Sequence, residues 1–101
     1  MFGTAKKSGI YKITNRIDNK IYIGQSVNIV DRIKQHIKCG LGIDAPATNK
    51  LYKAMQNSYI WNWTFELLEE CSKEKLNERE KFWIEWYQSD KIGYNVQRGN
   101  K

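Results

Sequence analysis

Gly9-Ile10-Tyr11-Lys12-Ile13-Thr14-Asn15 and Lys20-Ile21-Tyr22-Ile23-Gly24-Gln25-Ser26 decide how this 101-residue chain folds. Both runs hold Ile and Tyr, and Asp18-Asn19 between them suits a tight turn, so residues 9–15 and 20–26 read as a β-hairpin. With Asp18-Asn19 as the turn, Ile17 faces Lys20, Asn15 faces Tyr22, Ile13 faces Gly24 and Tyr11 faces Ser26. Strand side chains alternate, which puts Tyr11, Ile13, Tyr22 and Gly24 on one face. Any even-length turn keeps the two tyrosines together; an odd-length turn separates them.

Beyond the hairpin, a first helix is expected from Ser26 or Asn28 to about Lys38. Asn28 is a good N-cap, and Ile29, Ile33 and Ile37 with Val30 form the apolar stripe. Gly40 and Gly42 mark its exit, and the loop 39–47 holds the single proline, Pro46. Thr48 caps a second helix that buries Leu51, Tyr52, Met55 and Tyr59. Trp61, Trp63, Phe65 and Leu67 alternate with Asn62, Thr64 and Glu66, the period of a third strand. Ser72 caps a third helix running to about Gln88, and Gly93-Tyr94-Asn95-Val96 reads as extended. Trp61, Trp63, Trp83 and Trp86 read as core, and Glu69 and Glu70 as solvated charges. The sum is an α+β fold: a small three-stranded, mainly antiparallel sheet flanked by about three helices, one domain over residues 1–101 with a flexible 1–7.

Composition narrows the function classes. Hydrophobic residues make up 41 % of the chain, enough for a modest core and too many for a disordered tail. No apolar run approaches the roughly 20 residues of a membrane span. The segment before Ser8 is too short and polar for a signal peptide, so an intracellular, cytoplasmic setting is expected. Cys39 and Cys71 are too few and too far apart for a disulfide framework or a Cys-x-x-Cys zinc site, and read as reduced thiols. A formal net charge of +6, spread along the chain from Lys6 and Lys7 to Arg98 and Lys101, suits a polyanionic partner such as nucleic acid.

Two helical positions carry chemistry that the core does not need. At 100° per residue, Leu76, Trp83 and Tyr87 fall within about 20° of one line, and Glu80 lies about 40° from Leu76 inside that stripe. A carboxylate there is costly to bury unless it is paired or binds a metal. A glutamate snorkelling at the stripe edge, or paired with Lys or Arg, is the alternative. Glu78 lies about 160° away and reads as a solvated charge. Arg32 and His36 are spaced i, i+4 on one face of the first helix and border its isoleucine stripe. They read either as functional groups or as ordinary rim residues.

Gly9-Ile10-Tyr11, Tyr22-Ile23-Gly24-Gln25-Ser26, Arg32-x-x-x-His36, the Glu80-Lys81-Phe82-Trp83 segment and Gly93-Tyr94-Asn95 occur in this order. The ordered set resembles the GIY-YIG nuclease family from residue 8 to about 97. That resemblance implies a GIY-YIG-type fold and a metal-dependent endonuclease that hydrolyses DNA phosphodiester bonds. It makes Tyr11, Tyr22, Arg32, His36 and Glu80 the catalytic set, Glu80 the ligand of one divalent ion (Mg²⁺, with Mn²⁺ as substitute), and Asn95 a substrate-positioning residue. It casts Tyr11 as general base, with Tyr22, Lys12, His36 or a metal-bound water receiving or steering the proton, and Arg32 as the stabiliser of phosphate charge. A non-catalytic nucleic-acid-binding module of the same fold is the alternative. The expected partner is DNA. With no recognition helix or zinc finger in view, specificity is expected from a dimer, a separate DNA-targeting domain or a partner.

Overall fold

A computed structural model describes residues 7–42 and 50–95. The expected elements at Thr48, Pro46, Val96 and the N-terminal 1–6 lie outside that range. Three antiparallel strands, β1 (Gly9–Asn15), β2 (Ile21–Ser26) and β3 (Trp63–Glu70), form one sheet in the order β2-β1-β3. Helices α1 (Ile29–Gly40) and α2 (Lys50–Gln56) cover one face; α3 (Leu76–Tyr87) and the short α4 (Ser89–Ile92) follow β3. Among the described residues no helix is long and apolar enough to cross a membrane.

The hairpin forms with its register shifted by two residues from expectation. Tyr11 pairs with Gly24 and Ile13 with Tyr22. The cause is a longer turn. Asn15 begins it: its Oδ1 accepts from the Ile17 N–H, its carbonyl from the Asn19 N–H, and its N–H donates to Lys20 O. Asn19 closes the turn at φ 63°, a left-handed conformation that asparagine tolerates. The loop is still even in length, so Tyr11, Ile13, Tyr22 and Gly24 keep one face.

Alternation then splits the core in two. Tyr11, Ile13 and Trp63 pack with Ile29 and Ile33 of α1 and Leu51 and Met55 of α2. On the other face Ile10, Ile21 and Ile23 pack with Leu76 and Ile84 of α3. A bulge sits in β3, where Ile10 pairs with Glu69 and Tyr11 with Leu67. The extra residue reverses the alternation beyond it and re-aims Glu69 toward α3. There Glu69 accepts from Arg79 Nε at 2.8 Å and from Trp83 Nε1 at 2.9 Å. Glu69 is therefore a strut between β3 and α3, not the solvated charge its polar run suggests.

The aromatic residues divide differently from the sequence reading. Trp63 is core, but Trp61 is 66 % exposed and Trp86 67 % exposed. Trp61 lies in a 3-10 turn before β3 and stacks on Tyr59, which is 64 % exposed, so neither alternation nor helical period applies to it. Trp86 stacks on Phe82 along the outer side of α3. Helix α1 starts as expected, with Asn28 Oδ1 accepting from the Asp31 N–H. Helix α3 does not: Ser72 makes no side-chain cap, and one 3-10 turn, Lys73–Lys75, precedes Leu76. Cys39 and Cys71 carry free thiols.

Candidate active site

Gly24 makes the site possible. It stands opposite Tyr11 in the edge strand, and a Cβ there would run into the Tyr11 ring and hydroxyl. The phenol instead lies across the bare backbone, 1 % exposed. Its ring centroid is 6.4 Å from that of Tyr22.

The first turns of α1 bring Arg32 and His36 over these rings. The sequence spacing puts His36 on the stripe's border; in the fold it lies inside the stripe, 1 % exposed. Its Nε2 is 2.6 Å from the Tyr11 hydroxyl and its Nδ1 is 2.9 Å from the Tyr52 hydroxyl on α2. The Tyr22 ring packs edge-on against it at 5.6 Å. Burial, and then the charge of Arg32, push the His36 pKa down to about 3, so the imidazole is neutral near pH 7.

Burial also pushes the Tyr11 phenol well above its ordinary range; the neighbouring Tyr22 adds to this and Arg32 opposes it. Tyr22 and Tyr52 are raised for the same first reason, Tyr52 to about 12. The Arg32 guanidinium places its charge among the three phenols of Tyr11, Tyr52 and Tyr22. Its Nη1 also donates to Gln35 Oε1 at 2.5 Å.

Glu80 arrives from the other side of the sheet. Helix α3 packs beneath β2, and the carboxylate reaches the edge where Gln25 Nε2 donates to its Oε1 at 3.0 Å. The same amide nitrogen donates to Asn77 Oδ1 at 2.8 Å. Glu80 is close enough for its charge to raise the Tyr22 pKa. Burial raises the Glu80 pKa, and the Gln25 hydrogen bond works against that rise.

That environment fits a divalent ion. Gln25 is the hydrogen-bond donor given to this half-buried carboxylate among the described residues, which leaves lone pairs for a cation. Positive charge would relieve the burial of the anion. Among the described residues no group of three or more His, Cys, Asp or Glu side chains is placed to hold a metal ion together. A largely hydrated Mg²⁺ does not need one, because it commonly takes one or two protein carboxylates and keeps several waters.

Two expected participants stand elsewhere. Lys12 follows Tyr11 on the strand and therefore points to the α3 face, where it pairs with Glu66 at 3.1 Å and lies over the Tyr87 ring. It is not placed to receive a proton from Tyr11. Asn95 has both ends of its amide on the protein: Oδ1 accepts from Ile23 N–H and Ser89 Oγ, and Nδ2 donates to Ile23 O. It serves the free edge of β2 as a substitute strand partner and positions Ile23-Gly24. Tyr52 is the site residue that sequence reading placed only in the core; an aromatic at an apolar helical position gives no signal that it hydrogen-bonds a histidine.

A profile of the GIY-YIG catalytic domain matches residues 7–95. Intron-associated endonuclease 1 of Enterobacteria phage T4 is 37 % identical over 92 residues, which is 89 % of this chain and 37 % of that protein. The chain thus spans little over a third of the length of that curated relative. Among solved structures, the catalytic domain of homing endonuclease I-TevI superposes with a TM-score of 0.77 at 34 % identity, covering 90 % of this chain and 99 % of that one. A glutamate-to-alanine variant of the same domain gives 0.78 at 31 % identity, covering 93 % and 97 %.

Proposed function

The chain belongs to the GIY-YIG catalytic-domain family, and from that premise we propose that it hydrolyses DNA phosphodiester bonds by a one-metal mechanism with Tyr11 as general base. The hydrogen bond between Tyr11 and His36 Nε2, 2.6 Å long and buried, carries this reading.

A phosphodiester repels nucleophiles through its own charge, and its leaving alkoxide is poor. The attacking water must lose a proton as its oxygen bonds phosphorus and the bond to the leaving oxygen breaks. Burial keeps Tyr11 protonated in the free protein, so a preformed tyrosinate is not the base. Tyr11 instead accepts the water proton at its oxygen while its own proton passes to His36 Nε2. The low pKa of His36 makes the resulting imidazolium costly beside Arg32. A bound phosphodiester lowers that cost, since its negative charge offsets the guanidinium.

Arg32 supports both ends of this transfer. Its charge beside Tyr11 favours negative charge on the phenol oxygen, and its planar donor fork suits a phosphate. A divalent ion at Glu80 would supply positive charge to the phosphate and the leaving oxygen. The net charge of +6 supports a DNA partner, and recognition of a particular site would come from a dimer, a separate DNA-targeting domain or a partner. Supercoiled plasmid incubated with Mg²⁺ or Mn²⁺ tests the activity: nicking that chelator abolishes is expected. A protein that leaves plasmid intact under both metals, while folded, overturns it.

A further inference from the structure

His36 is held from both sides, and its second partner, Tyr52, belongs to none of the five sequence motifs. A neutral imidazole has one N–H donor and one bare acceptor nitrogen, so its two partners must play opposite parts. Either Nδ1–H donates to Tyr52 and Nε2 accepts from Tyr11, or the reverse holds. Only the first arrangement lets Tyr11 hand its proton onward.

The part proposed for Tyr11 selects it. The Tyr11 hydroxyl lies 2.6 Å from Nε2, and a base there must pass its own proton to a bare nitrogen. The Tyr52 hydroxyl, for its part, lies 2.9 Å from Nδ1 and can accept as well as donate. With Nε2 bare, it accepts from Nδ1–H. We propose that Tyr52 is a positioning residue that fixes His36 in the Nδ1–H tautomer, so that Nε2 is the acceptor for the Tyr11 proton. This rests on the proposal that Tyr11 is the base. It makes the chain Tyr52–His36–Tyr11 directional, and it gives α2 a part in the chemistry.

The tautomer can be read without catalysis. Long-range ¹H–¹⁵N correlation spectra of the full chain at pH 7, free of metal and DNA, separate protonated from bare ring nitrogens. The expected result is a protonated Nδ1 and a bare Nε2 in the parental protein. Tyr52→Phe keeps the ring that packs 5.7 Å from His36 and removes only the hydroxyl. It should move the proton to Nε2 and slow plasmid cleavage by about tenfold or more, as loss of an orienting partner to a functional histidine does. A parental Nε2–H, or a Tyr52→Phe spectrum that retains Nδ1–H, overturns the assignment. The role of Tyr11 is judged separately: Tyr11→Phe cleaving at the parental rate removes the base whatever the tautomer.

Discussion

The hydroxyl end of Tyr11 occupies the space in which a side chain on Gly24 would stand. The two glycines of the hairpin motifs therefore protect different things. Gly24 leaves room for a phenol, whereas Gly9 leaves room for a backbone: its Cβ would collide with the Glu69 carbonyl beside the β3 bulge.

Substitution at each should fail in its own way. Gly24→Ala displaces one side chain that is already fully packed, and is expected to cost about 1–3 kcal/mol of stability. Its cleavage rate should fall far more than that loss explains, because Tyr11 leaves His36. Gly9→Ala pushes β1 off β3 and should lower stability further. Urea unfolding and plasmid nicking, measured on both variants, check the pair. Gly24→Ala cleaving normally would falsify the packing account of the motif.

Glu80 and Arg32 give a second prediction, in which function and stability part company. Burial raises the Glu80 pKa, so its folded value lies above its unfolded one. Such a group contributes stability below the unfolded pKa and loses it as pH rises through the folded pKa. At pH 7 the carboxylate is thus a cost. Glu80→Gln should melt no lower than the parent at pH 7, and cleavage should be abolished. Arg32→Lys keeps the charge but not the donor fork, and should not restore activity lost in Arg32→Ala. Thermal melts beside single-turnover cleavage test both. A Glu80→Gln protein that nicks DNA at the parental rate removes Glu80 from the site.

Asn95 should behave in the opposite sense. Its amide makes three buried hydrogen bonds to Ile23 and Ser89. Asn95→Ala leaves the two Ile23 backbone groups unpaired, for a loss of about 2–4 kcal/mol. If the side chain holds β2 and does not touch substrate, cleavage well below the melting temperature should stay within severalfold of the parent. A stable Asn95→Ala protein with no activity would restore a direct role in substrate positioning.

Period and spacing show in the sequence wherever one element decides the outcome alone. The alternation in 9–15 and 20–26 fixes the shared face of Tyr11 and Tyr22, and the i, i+4 spacing fixes that of Arg32 and His36. Glu80 stands out because a charge inside an apolar stripe conflicts with its surroundings. What stays hidden depends on two elements at once. The Leu68 bulge turns Glu69 from a presumed surface charge into the partner of Arg79 and Trp83. The 3-10 turn at 60–62 carries Trp61 out of the strand pattern and into solvent. Tyr52 has the spacing of a core residue and occupies a core helix, and only the approach of α1 reveals its hydrogen bond to His36.

The buried histidine predicts how stability responds to acid. Its folded pKa is pushed down to about 3 from an ordinary value of 6.5, first by burial and then by Arg32. The other groups around it are the phenols of Tyr11, Tyr22 and Tyr52, all raised and uncharged in acid. Below pH 6.5 the unfolded chain therefore binds a proton that the folded chain refuses, and stability falls until pH 3 is reached. Between pH 7.5 and 4.5 this one residue should remove about 2–3 kcal/mol. Carboxylates titrate in the same range, so the informative quantity is the difference between parent and His36→Gln, which hydrogen-bonds but does not titrate there. Urea midpoints at the two pH values should converge in that variant by the stated amount. Equal acid sensitivity in both proteins would show that His36 is already charged, or solvated, in the folded state, and would take from Tyr11 its proton acceptor.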